Sequence, residues 1–213
     1  SSVVDAYDTD LTRSTPTALS AARYALAGAS IGNYALFAGG YNGSYLNTVD
    51  AYDTDLTRTT PTALSTARAD SAGVSIGNYA LFAGGNTGPN SPSAVVYAYD
   101  DNLTRSTPTA LSTARSFLAG ASIGNYALFA GGYTGSPSAV VDAYDDNLTR
   151  STPTALSAAR YALTGASIGN YALFAGGYAG SFFAVVDAYD DNLTRSTPTA
   201  LSTARRWLAG ASV

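Results

Sequence analysis

The chain predicts an all-β fold of four-stranded antiparallel units repeated around an axis, and three observations carry that expectation. The string SIGNYALFAGG stands unchanged at Ser30–Gly40, Ser75–Gly85, Ser122–Gly132 and Ser167–Gly177, so one unit of 45 to 47 residues is copied along a chain of 213. Lys, Glu, Gln and Met are absent, which removes most strong helix formers. Inside each unit, apolar residues alternate with period two between Gly and Asn punctuation.

The copy from Arg23 to Ser65 gives the strands in order. LAGAS, Leu26 to Ser30, is a short small-residue strand a, and Ile31 to Asn33 supplies the Gly and Asn of a tight turn. YALFA, Tyr34 to Ala38, is strand b, with Tyr34, Leu36 and Ala38 on one face and Ala35 and Phe37 on the other. Gly39 and Gly40 end it. TVDAYD, Thr48 to Asp53, is strand c. LTRTTPTALS, Leu56 to Ser65, is an outer strand d, placed at an edge because Pro61 cannot donate to a ladder. A helix over Pro16 to Ala27 competes on propensity, since it opens on Pro and is rich in Ala, Leu and Arg. Gly28 following it, and the need for an edge strand, favour strand there.

A repeated four-stranded unit of this length is the signature of a propeller blade. The Gly-Gly doublet after an apolar strand (FAGG), the Tyr-Asp pair some residues later (AYD) and the Arg before the next strand a (AR) resemble the kelch repeat over essentially the whole chain. Kelch blades usually carry a tryptophan ahead of strand d; here Leu11, Leu56, Leu103, Leu148 and Leu193 stand near that place, which implies leaner packing. The AYD-to-ALS segment occurs five times and YALFAGG four times. The expectation is therefore one domain over 1–213, a five-bladed kelch-like β-propeller with blade units near 23–65, 68–112, 115–157 and 160–202. The closing blade takes 1–20 from one end and 205–213, with strand a at Leu208 to Val213, from the other, and lacks strand b. A self-contained ring is the expected assembly, with head-to-tail association or fibres through the incomplete blade as rivals.

What differs between copies is the candidate for recognition. In an antiparallel blade the d-to-a and b-to-c connections leave from one end, so both variable clusters emerge on one face. Their aromatic members are Tyr24, Tyr41, Tyr45, Phe117, Tyr133 and Tyr161, with Tyr178, Phe182, Phe183 and Trp207. Asn42, Asp70, Asn86 and Arg206 are the polar partners. Rigid rings beside small polar residues resemble a paratope composition and suit sugars equally. The expected function is non-catalytic recognition of carbohydrate or a protein surface. The alternative is a structural scaffold, designed or recently amplified, without a ligand, in which the loops have drifted or pack locally.

Other chemistry finds few residues to carry it. His and Cys are absent, which removes the commonest general base, thiolate ligands and disulfides. Galactose oxidase, a copper enzyme among kelch-like propellers, depends on histidine and a cysteine-linked tyrosine, so the resemblance does not carry that activity over. Eleven Arg against fifteen Asp is too acidic for tracking phosphates. Neither nucleic acid, membrane insertion nor a cofactor is expected. The repeated aspartates Asp5, Asp8 and Asp10 and their copies read as turn caps rather than as a calcium loop, since the Gly and distant Glu of an EF-hand are missing. Arg13, Arg23 and their copies are expected to meet aspartates between blades, with an anion-concentrating ring as the sharper alternative. An extracellular or surface-associated setting is suspected, and a first residue other than Met suggests processing, excision or engineering.

Overall fold

The computed structural model describes residues 1–212; Val213, the last residue of the expected closing strand, lies outside them. The chain is a five-bladed β-propeller. No helix forms among the described residues, Pro16 to Ala27 included. The first complete blade holds β3 (Ala27–Ile31), β4 (Tyr34–Ala38), β5 (Val49–Tyr52) and β6 (Arg58–Thr59), after the hairpin β1 (Ala6–Tyr7) and β2 (Arg13–Ser14). The second holds β7 (Ala72–Ile76), β8 (Tyr79–Ala83), β9 (Val96–Tyr99) and β10 (Arg105–Ser106). The third holds β11 (Ala119–Ile123), β12 (Tyr126–Ala130), β13 (Val141–Tyr144) and β14 (Arg150–Ser151). The fourth holds β15 (Thr164–Ile168), β16 (Tyr171–Ala175), β17 (Val186–Tyr189) and β18 (Arg195–Ser196). Each is an antiparallel sheet in the order a-b-c-d.

Strand b begins and ends where its alternation does. Strand a is displaced by one residue, because Ile31 pairs with Tyr34 and leaves only Gly32 and Asn33 to turn, with Gly32 at φ +51°. Strand d shrinks from the expected ten residues to two, Arg58–Thr59. The stretch around Pro61 lies outside the ladder, consistent with the missing donor. The leucines in the tryptophan position close the c-to-d turn at φ of 59 to 61°. That turn is held by the preceding aspartate: Asp53 Oδ1 accepts from the Asp55 and Thr57 amides at 3.0 and 2.8 Å, and Asp8, Asp100, Asp145 and Asp190 do the same in their copies.

Blades stack through three contacts. A Cβ on Gly73 would lie 2.2 Å from the Gly28 carbonyl, and one on Gly165 2.1 Å from that of Gly120, so the inner strands approach as only glycine allows. The strand-b phenylalanines Phe82, Phe129 and Phe174 are fully buried, Phe82 in the apolar cluster of the first blade and Phe129 in that of the second. The strand-c tyrosines donate to the preceding blade, Tyr52 to the Thr17 carbonyl at 2.7 Å and Tyr144 to that of Thr109 at 2.8 Å.

The repeated charges pair inside a blade, not between blades as expected. Arg23 meets Asp50 at 2.7 Å and Arg160 meets Asp187 at 2.8 Å, all four side chains fully buried, and Arg115 meets Asp142 likewise. The reason lies in strand b: the same guanidinium donates to the strand-b carbonyl of Phe37, Phe129 or Phe174 at 3.1 Å, so it must span from strand a across b to c. Between blades the aspartate only accepts neutral donors, as Asp50 does from Ser20. Burial pushes the Asp187 carboxyl up, but hydrogen bonds from Arg195 and Arg160 outweigh it and hold the group below the ordinary range. In the second blade Tyr97 replaces the aspartate, and the buried Arg68 lies 4.7 Å over its ring and bonds its hydroxyl at 3.2 Å. Burial lowers the Arg68 pKa, with Tyr97 opposing.

The closing blade comes from both ends and has no strand b. The hairpin β1-β2 supplies c and d against the first blade: the Arg23 amide donates to the Ser1 carbonyl and Ser20 to Asp50, while Leu19 donates to the Ser2 carbonyl within the segment itself. Leu208–Ser212 continues the series of inner strands on the fourth blade: the Ser167 amide donates to Ser212 Oγ at 3.0 Å, as the Ser122 amide does to Ser167 Oγ at 3.2 Å. That run joins no ladder.

Candidate functional site

Both variable connections leave from one end of each blade. The residue after the Arg pairs with the residue after Gly-Gly in each complete blade: Tyr24 with Tyr41, Ala69 with Asn86, Ser116 with Tyr133 and Tyr161 with Tyr178. The next residue takes a left-handed conformation in all five copies, with Ala25, Asp70, Phe117, Ala162 and Trp207 at φ of 54 to 58°. This turns its amide to the neighbouring blade. Asp70 donates to the Ala25 carbonyl, Phe117 to Asp70, Ala162 to Phe117 and Trp207 to Ala162, each at 3.0 Å. A backbone rim therefore runs along this face, and the five side chains sit over its centre, lining one shallow depression with Leu118 and Leu163.

Aromatic contacts join the rim to the loops. Phe117 lies edge-on to Trp207 at 5.5 Å and tilted against Tyr161 at 6.2 Å. Tyr161 meets Tyr133 at 5.2 Å and Tyr178 at 5.7 Å, and Tyr178 meets Phe182 at 5.7 Å. Arg206 caps that end, 4.6 Å over the Tyr178 ring. A second group, Tyr24, Tyr41 and Tyr45, stacks edge-on at 5.7 and 5.1 Å on the first blade. Between the groups sit Asp70 and Asn86. Asn86, buried, points its Nδ2 at Asp70 at 3.4 Å; burial raises the Asp70 carboxyl above its ordinary range and the Asn86 bond opposes that.

A cleft of about 270 Å³ opens between the loops of the second and third blades, lined by Asn86, Asn90, Pro92, Phe117, Tyr133 and Tyr161, with Ser116, Thr134 and Gly135 completing it. Four of those nine are residues singled out from the sequence: Asn86, Phe117, Tyr133 and Tyr161. The other five carry no signal as residue types: Asn90 and Pro92 come over with the longer second loop, and Ser116, Thr134 and Gly135 belong to the third blade's own connections. Two expected contacts stand apart. Asn42 directs Oδ1 to the Ser44 amide of its own turn. Phe183, half-buried, bonds Gly177 and Arg205 through its backbone and joins none of the ring pairs among the described residues.

No family model and no curated protein matches the chain. Among solved structures, that of YjhT is similar at a TM-score of 0.76 with 14% identity, over 94% of this chain and 77% of that one. A likeness at that identity is one of fold.

Proposed function

We propose that this face is a non-catalytic recognition surface for carbohydrate, carried by a kelch-like propeller, with the cleft between Asn86, Phe117, Tyr133 and Tyr161 as its principal subsite. One observation carries the reading. The left-handed rim position is filled by alanine in two blades, at Ala25 and Ala162, and by Phe117 and Trp207 in two others at the same φ. The fold therefore needs no ring there, and a bulky residue at positive φ is disfavoured. Placing two rings in contact at the mouth of the axis costs the scaffold something that a ligand would offset.

The chemistry fits a sugar. Ring faces pack against C–H surfaces, while the amides of Asn86 and Asn90 and the Ser116 and Thr134 hydroxyls offer donors and acceptors at the cleft wall. The reading is non-catalytic because Asp70 is the one carboxylate among the variable residues, while paired-carboxylate hydrolysis needs two. The test is a glycan array with the intact chain and a Phe117→Ala/Trp207→Ala variant. Retained glycans should fall at least about tenfold in the variant, with the melting temperature within about 3 °C. Undiminished retention by the variant, or no retention by the intact chain, would leave the scaffold alternative standing.

A further inference from the structure

The closing blade carries the anchoring groups of a strand-b site. In three of the four complete blades one arginine spans strand b, donating to its Phe carbonyl and pairing with the strand-c aspartate on the far side. The fifth copies of those groups are Arg205 and Asp5. Among the described residues Arg205 is exposed and makes no ion pair, and Asp5 meets only its own hairpin, Arg13 at 3.7 Å and the Thr15 hydroxyl at 3.3 Å. Gly28, whose copies each meet the preceding glycine's carbonyl, meets only its own blade's Phe37 and Leu36.

The walls of the gap are apolar and open. On the fourth blade Ile168 is 54% exposed and Tyr171 47%, whereas Ile31, Ile76 and Ile123 are 4 to 6% exposed. On the first blade Ala35 is exposed and Phe37 half-buried, whereas Ala80, Ala127, Phe82 and Phe129 are fully buried. A groove of about 470 Å³ runs along Val3, Val4, Asp5, Gly28 and Phe37.

We propose that this gap is a strand-acceptor site for an extended polypeptide segment alternating aliphatic and aromatic residues in the pattern Tyr-Ala-Leu-Phe-Ala. The register of the four complete blades specifies the occupant. Its phenylalanine lies opposite Asp5, as Phe37 lies opposite Asp50, and its ring covers Ile168 and Leu173 of the fourth blade, as the Phe82 ring covers the first blade. Its leucine lies opposite Ala6, as Leu36 lies opposite Ala51, and faces Ala35 and Phe37 of the first blade, as Leu36 faces Ala80 and Phe82. Arg205 donates to the incoming Phe carbonyl and pairs with Asp5. Main-chain bonds thus supply affinity, and the two walls supply side-chain selectivity.

The probe is a fluorescein-labelled peptide of sequence SIGNYALFAGG, titrated with the full chain and followed by anisotropy, with analytical ultracentrifugation alongside. Saturable one-to-one binding is expected, lost when the peptide's Phe becomes Asp and weakened about tenfold or more by Arg205→Ala, the effect of removing a hydrogen bond to a charged group. Amide exchange over Val4–Tyr7 should slow on binding. No binding, or equal binding by a scrambled peptide, would overturn the proposal. So would a dimer that persists at nanomolar concentration and that the peptide does not dissociate, because the gap would then be covered by a second copy.

Discussion

The third blade and the closing blade carry the same VDAYD strand, at Val141–Asp145 and at Val4–Asp8, yet the two segments live in different media. Asp142 and Tyr144 are fully buried, the one clamped by Arg115 and Arg150 and the other bonded to Thr109. The side chain of Asp5 is 43% exposed and Tyr7 65% exposed. The letters are identical, so what separates them is strand b, which lies between a and c in the third blade and is missing from the closing one. A repeated Arg–Asp pair is structural only where that strand lifts it out of water.

Substitutions at matched positions should split accordingly. The largest difference is expected at the carboxylates: Asp142→Ala leaves the buried Arg115 charge uncompensated and should cost about 3–5 kcal/mol in urea unfolding. Asp5→Ala removes a loose, solvated pair and should stay within about 0.5 kcal/mol. Next come the inner glycines. Gly165→Ala drives a methyl to 2.1 Å from the Gly120 carbonyl and should cost about 1–3 kcal/mol, whereas Gly28→Ala has only ordinary contacts and should be neutral or slightly stabilising.

Two smaller effects depend on pH. Because the Asp187 pKa is lowered on folding, its pairs contribute stability that is present above the unfolded carboxylate range and lost as pH falls through the folded value. Unfolding below about pH 4 should therefore flatten in Asp187→Asn, whose stability at neutral pH is already reduced. Asp70 has the opposite sign: its pKa is raised, so its contribution is present below the unfolded range and lost as pH rises through the folded value. Asp70→Asn should stabilise slightly at pH 7 and lose that advantage in acid. An Asp70→Asn variant that melts lower at pH 7 would contradict this sign.

Strand b was fully legible, since YALFA alternates between Gly-Asn and Gly-Gly stops. The common face of the variable segments followed from antiparallel connectivity alone, and the bridges from Tyr24 to Tyr41 and Tyr161 to Tyr178 bear it out. Strand d was over-read because threonines suit a strand, while Pro61 withdraws the donor that a ladder needs. The left-handed leucines and the backbone rim escaped because nothing in Leu56 or Ala25 as residue types announces a positive φ. The ion pairs were foreseen by chemistry but misplaced, since only the fold reveals that Arg23 reaches across its own strand b.

The comparison between blades reduces to one question, whether identical strands differ in protection. Amide exchange followed by mass spectrometry on the full chain, without added peptide, answers it. Val141–Tyr144 should exchange only through global unfolding, and Val4–Tyr7 should exchange at least about a hundredfold faster, as locally open structure does. Equal protection of the two segments would contradict the account, because the closing blade would then be as well covered as the third.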